Sequence, residues 1–167
     1  MKTFNIVIAG LGGQGIVKAS DILADAAFRS GHDVKKAEVH GMSQRGGSVN
    51  TDIRYGEQVM SPMVPDGAAD ILLVMDASQI ENNRYRLKPG GKLLTSDCLG
   101  SIEHGAPRTA AVAMLGVLST SLDLGVPAWH AAIRAALPEQ HHAANITAFH
   151  AGRADARGQR RLLVGVP

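Results

Sequence analysis

Two glycine-rich stretches hold the residues best suited to meet a ligand or a partner's backbone. The first is Gly10-Leu11-Gly12-Gly13-Gln14-Gly15, between the apolar run Phe4–Ala9 and a long helical pattern. That order reads as strand, glycine turn, helix. The first N–H groups of such a helix lack intrahelical acceptors, and the helix dipole makes that end positive. An anion or a closely approaching backbone suits the place, and glycine leaves no Cβ in the way. Gly10, Gly12 and Gly15 follow G-x-G-x-x-G, and Glu38 comes twenty-three residues after Gly15. A dinucleotide-binding turn wants an acid at about that distance for the ribose hydroxyls. A tight structural turn or an interface needs the same glycines, so both readings stand. A nucleoside triphosphate loop fits worse, because Ile16 and Val17 follow Gly15 and Lys18 comes too late.

The second stretch is His40-Gly41-Met42-Ser43-Gln44-Arg45-Gly46-Gly47-Ser48. It sits at an expected strand end, where open α/β sheets bind ligands. Arg45 suits a carboxylate or phosphate, and Gly46-Gly47 admits a close backbone. A solvated turn explains the same residues. No catalytic constellation stands out. The seven histidines are scattered, and the adjacent His141-His142 point apart on a helix. Without Cys or carboxylate spacing to support them, no metal site is expected. Cys98 is the single cysteine, which excludes a disulfide scaffold and an iron–sulfur cluster held by four thiolates.

The elements that would position these loops follow from periodicity. Lys2–Ala9 reads as a first parallel strand, Gly13–Ser30 as a helix with Ile16, Leu23, Ala27 and Phe28 on its apolar face, and Asp33–Val39 as a second strand. These make a β-α-β unit. Val49, Thr51, Ile53 and Tyr55 alternate with polar residues, and Gly56-Glu57 is expected to turn a hairpin into Gln58-Val59-Met60. Pro62 and Pro65 mark an extended crossing. Asp70–Asp76 is the strongest buried strand. A helix over Ala77–Leu87 should stop at Pro89-Gly90-Gly91, with a strand over Lys92–Ser96 and a loop over Asp97–Ala106. Helices are expected over Thr109–Leu124, Pro127–Leu137 and from Pro138 to about Phe149. The fold class is therefore α/β: a three-layer α/β/α arrangement with a Rossmann-like start and a mixed, partly antiparallel sheet.

With 167 residues and 45% hydrophobic composition, the chain suits one domain with a real core, expected over residues 1–152. Residues 153–167, with Arg153, Arg157, Arg160 and Arg161, read as a basic, flexible tail. A net charge of +2 gives no nucleic-acid signature. The start runs straight into a strand without a signal region, and no apolar run approaches the ~20 residues of a membrane span. No membrane partner and a cytoplasmic location are the expectation.

Taken together, the two glycine loops resemble the gamma-type domain of the 2-oxoacid:ferredoxin oxidoreductases. The His-Gly-Met-Ser-Gln-Arg-Gly-Gly form is similar to the small (beta) subunit of the indolepyruvate type. Ile53-Arg54-Tyr55-Gly56, Ser61-Pro62, Gly67-Ala68-Ala69-Asp70, Leu87-Lys88-Pro89-Gly90-Gly91, Met114-Leu115-Gly116 and Asn145–Gly152 fit the same family in the same order. The likeness covers about residues 4–152. It implies oxidative decarboxylation of an arylpyruvate or related 2-oxoacid, with coenzyme A as co-substrate and ferredoxin as electron acceptor. Thiamine diphosphate and the iron–sulfur clusters would lie in a large (alpha) subunit, and this chain would carry no cofactor and no catalytic residue. Its contact residues, to cofactor or partner, would be Gly10, Gly12, Gly13, Gln14, Gly15, His40, Gly41, Met42, Gln44, Arg45, Gly46, Gly47 and Ser48. Ser96–Arg108 is shorter than its family counterpart, so functions carried there do not transfer. The alternatives are a free-standing dinucleotide-binding protein using Glu38, or a domain that pairs with itself as a homodimer.

Overall fold

The computed structural model describes residues 3–40, 46–99 and 109–163. Five strands form one mixed sheet: β1 (Phe4–Leu11), β2 (Asp33–His40), β3 (Ser48–Gly56), β4 (Ala69–Val74) and β5 (Leu87–Thr95), in the order β2-β3-β1-β4-β5. β1, β4 and β5 are parallel neighbours, and β3 runs antiparallel to both β1 and β2. Helix α1 (Ile16–Arg29) follows β1. After β4 come a 3-10 turn (Ala77–Gln79), the single-turn α2 (Ile80–Asn83) and a second 3-10 turn (Arg84–Arg86). A further 3-10 turn (Ser96–Leu99) follows β5, and then α3 (Ala110–Ser119), α4 (Val126–Ala136) and α5 (His142–Leu163).

Alternation along the strands divides the core into two layers. Ile6, Ile8, Ile53, Ile71 and Leu73 meet α1, α3, α4 and α5 on one face. Val7, Ala9, Leu72 and Val74 meet Val64 and Ile80 of α2 on the other. The sheet thus has helices on both faces, with a thin second layer.

The Gln58–Met60 strand does not form. β3 already has β1 on one side and β2 on the other, so a returning strand finds no free edge. Residues 57–68 instead cross the second face as a strap whose backbone groups are taken by side chains. Val59 N–H donates to the Asp33 carboxylate at 2.8 Å, and Arg54 donates to the carbonyls of Ser61 and Met63 at 2.9 and 3.3 Å. Val64 N–H donates to Asp52 Oδ2 at 2.8 Å, and Arg86 Nη2 donates to the same oxygen at 2.8 Å and to the Val64 carbonyl at 2.9 Å. Met60 and Met63 on the strap are exposed.

Other boundaries move for local reasons. Pro89-Gly90-Gly91 lies inside β5, not before it: Ala69 pairs with Leu87 and Ile71 with Lys92, and the extra residues bulge out through Gly90 at φ +73°. The expected helix over Ala77–Leu87 is broken into α2 and its flanking 3-10 turns. α3 ends at Ser119. Phe28 is 68% exposed beside the charged edge strand β2, not buried on the apolar face of α1. The helix expected to end near Phe149 continues as α5 to Leu163, through the first part of the expected tail. Arg153 lies over the Phe149 ring and bonds Ser119 Oγ at 2.6 Å.

α5 lies close against α3 because glycine stands at both contact points. A Cβ on Gly116 would meet the Phe149 carbonyl oxygen at 2.1 Å, and one on Gly152 would meet that of Ala113 at 1.9 Å. Gly152→Ala is expected to lower stability by at least about 1–3 kcal/mol, because the clash is with backbone that cannot rotate away. Urea unfolding followed by circular dichroism measures it, and an unchanged midpoint would refute the packing account.

Candidate functional site

The register of β1 against β3 brings the two glycine stretches together. Leu11 pairs with Ser48, and one step further Gly12 N–H donates to the Gly47 carbonyl at 2.9 Å. A Cβ on Gly12 would stand 3.4 Å from Gly46 N. Gly13, Gly15 and Gly46 have φ of +91°, +80° and +68°, a left-handed conformation that suits glycine. Gly15 caps α1 in that conformation, and its own Cβ would meet Ala111 of α3 at 3.4 Å.

Gln14 organises the turn. Its Oε1 accepts from Leu11 N–H at 2.8 Å, and its Nε2 donates to Asp76 Oδ2 at 3.0 Å. A Cβ on Gly10 would crowd that Oε1 at 2.8 Å and Ile16 Cδ1 at 2.5 Å. Asp76 follows β4, and its other oxygen accepts from Ser78 N–H at 3.0 Å and Ser78 Oγ–H at 2.7 Å. The Ser78 bonds, with a smaller part from Gln14, hold the Asp76 carboxyl below its ordinary pKa of 3.8. Chain order gave no warning of this partner, sixty-two residues away. The topology does. After β1 the chain crosses to α1 on one face, and after β4 to α2 on the other. The carboxyl ends of β1 and β4 therefore flank the point where open α/β sheets form a ligand crevice, and Gln14–Asp76 bridges it.

Two cavities flank the glycine turn. One, of about 510 Å³, lies between Gly13–Gly15, Lys18, Thr109 at the start of α3, and His141 and Asn145. The other, of about 480 Å³, lies between Gly12, Val17, Lys18, Asp21, His40 and Val49. Lys18 borders both. The surroundings combine apolar walls with a few polar groups, the general character of a small-molecule cleft. Lys18, Asp76 and Asp21 were not singled out by spacing.

Of the sequence-predicted residues, Gly10, Gly12, Gly13, Gln14, Gly15, Gly46, Gly47 and Ser48 share this edge, and His40 borders the second cavity. Gly41, Met42, Gln44 and Arg45 lie outside the described residues. Glu38 does not serve a β1 turn. β3 stands between β2 and β1, and the Glu38 carboxylate is bonded to Lys36 and lies 3.3 Å from His40 Nε2. Lys36 holds Glu38 below its ordinary pKa; in turn, burial works against the Lys36 charge, but Asp21 and Glu38 outweigh it and raise its pKa. The dinucleotide reading thereby loses its ribose acid. Among the described residues no three His, Cys, Asp or Glu side chains gather as metal ligands, and no helix is long and apolar enough to cross a membrane.

A family model described as pyruvate ferredoxin/flavodoxin oxidoreductase matches residues 5–100, which include both glycine stretches, and the chain belongs to that family. It is 50% identical over 98 residues to the indolepyruvate oxidoreductase subunit IorB of Thermococcus kodakarensis, covering 58% of this chain and 48% of that protein. The IorB subunit of Pyrococcus horikoshii is 48% identical over 98 residues, with the same shares covered. The chain thus spans about half the length of these curated relatives. The gamma subunit of a keto/oxoacid ferredoxin oxidoreductase from Geobacter sulfurreducens has the same fold, with a TM-score of 0.77 at 22% identity over 95% of this chain and 98% of that one.

Two outcomes follow from the Gln14–Asp76–Ser78 chain. Gln14→Ala should cost about 1 kcal/mol in urea unfolding, because it removes the acceptor of Leu11 N–H and the Gln14 donor to Asp76 Oδ2; no loss would refute the role. For Asp76 the folded pKa lies below the unfolded one, so its contribution is full above about pH 4 and is lost as pH falls through the folded value. The stability gap between the native chain and Ser78→Ala should therefore be constant near neutrality and close on acidification. A gap that widens towards acid would contradict the assignment.

Proposed function

We propose that this chain is the small subunit of a thiamine-diphosphate-dependent 2-oxoacid:ferredoxin oxidoreductase of the indolepyruvate type. The observation that carries the reading is its near-50% identity to two IorB subunits over 98 residues. The donor set agrees with a division of labour. One cysteine cannot hold an iron–sulfur cluster, which agrees with the family resemblance, in which the clusters and thiamine diphosphate lie in a large subunit. In this reading the small subunit supplies shape: its glycine edge docks beside the large subunit's reaction centre. Gly10, Gly12, Gly13, Gln14, Gly15, His40, Gly46, Gly47 and Ser48, with Gly41, Met42, Gln44 and Arg45 of the same loop, contact the partner or coenzyme A. The exposed N–H groups of the turn and Lys18 suit the anionic groups of such a ligand. Ferredoxin is served by the complex as a whole.

The test is co-expression with a candidate large subunit under anaerobic conditions, followed by assay of iron, thiamine diphosphate and indolepyruvate-dependent reduction of a ferredoxin-like dye. The expected result is a stable pair that reduces the dye only when both chains and coenzyme A are present. Turnover by this chain alone, or saturable NAD binding to it, would overturn the reading. Arg45→Ala should weaken assembly or turnover of the pair; a variant normal in both would remove the loop from the contact surface.

A further inference from the structure

Away from the glycine edge, α4 and α5 bring two imidazoles together. His130 on α4 and His150 on α5 have their Nε2 atoms 2.8 Å apart, with ring planes at 81°. What lies beneath them sets this spacing. Their neighbours in sequence, Trp129 and Phe149, are fully buried and pack ring against ring at 5.5 Å. His130 also meets the Phe149 ring edge-on at 6.2 Å. Both histidines are thus carried on anchored backbone, while His150 remains exposed and His130 half-buried.

Two ring nitrogens this close share either a proton or a cation. Burial, then His150 and Arg134, push His130 below its ordinary pKa of 6.5, the direction that favours the neutral imidazole a metal needs. Metal–nitrogen bonds of about 2.0–2.1 Å let one ion touch both nitrogens with an N–metal–N angle of about 90°. That is the angle between neighbouring ligands in a tetragonal or square-planar ion, the preference of copper(II) and nickel(II), whereas tetrahedral zinc wants its ligands further apart. We propose that His130 and His150 form a two-histidine site for copper(II) or nickel(II), with water in the remaining positions. Arg134, one turn along α4, is the charged group that acts on His130; Arg153, three residues after His150 on α5, has its guanidinium over the Phe149 ring, 5.8 Å from its centre, and on Ser119 Oγ. The Arg134 charge holds the affinity for a cation down. The site is separate from the glycine edge and does not depend on the function proposed above.

The full chain, without a polyhistidine tag, is titrated with copper(II) and with nickel(II) by calorimetry, beside His130→Asn and His150→Asn. The five other histidines stay in every sample and report background. One ion per chain is expected near neutral pH. Each substitution should weaken that site by at least about tenfold, and the copper electron paramagnetic resonance should fall from two nitrogen couplings to one. Because His150 is exposed, its variant keeps the fold and carries the test even if the His130 change disturbs the helix pair. Unchanged affinity in the His150 variant, or a copper signal with no nitrogen coupling, would overturn the site.

Discussion

The antiparallel ladder between β1 and β3 is the interaction on which the candidate site depends. It pairs Phe4 with Tyr55 at one end and Leu11 with Ser48 at the other, then runs one rung beyond both strands, from Gly12 N–H to the Gly47 carbonyl. A slip of β3 by one residue would turn Val49, Ile53 and Tyr55 away from the main core and put Asp52 into it. The buried pattern therefore fixes the register, and the register fixes which residues of the two glycine stretches meet. Glycine at position 12 is a consequence: the partner there is backbone at 3.4 Å from where a Cβ would stand.

The same insertion of β3 creates the demands on the other face. Asp52, opposite Val7, is 1% exposed, and a carboxylate so buried is costly without a cationic partner. Arg86 supplies it, and the shared Val64 contacts tie the strap to both. A buried ion pair of this kind offers little net stability over a hydrophobic pair, but removing one partner strands the other. Its structural effect is to hold an extended segment that has no strand to join. Arg54 serves the same purpose nearby, donating to Asn5 Oδ1 at 2.8 Å as well as to the strap carbonyls.

Much of this architecture was legible in the sequence where period and burial coincide. β1, β3 and β4 and the cores of α1, α3 and α4 follow from their apolar spacing, and the two glycine stretches follow from composition alone. The failures share a physical cause, which is that a non-local partner decides the outcome. The Gly56-Glu57 turn signal is real, yet no edge of β3 is free to receive a returning strand. Pro89-Gly90-Gly91 punctuates a helix or a bulge equally well, and only the Ala69–Leu87 pairing distinguishes them. The chain after Phe149 reads as the approach to a basic tail until α3 is seen to require Gly152 inside α5. Glu38 has the right distance along the chain for a ribose acid but the wrong neighbour strand in space.

Gln14 shows how far these dependencies reach into one side-chain choice. The turn needs an acceptor for Leu11 N–H and a donor towards Asp76, and a carboxamide supplies both from one planar group. Glutamate would keep the acceptor but set a second carboxylate about 3 Å from Asp76, where like charges oppose each other's ionisation. Lysine or arginine would keep the donor but leave Leu11 N–H unsatisfied in a half-buried turn. Spacing alone leaves Gln14 as an oddity within a glycine motif. Once the ladder has placed Gly12 against Gly47, and β4 has delivered Asp76 to the adjoining strand end, the residue that joins the two ends must both donate and accept, and Gln14 meets that requirement.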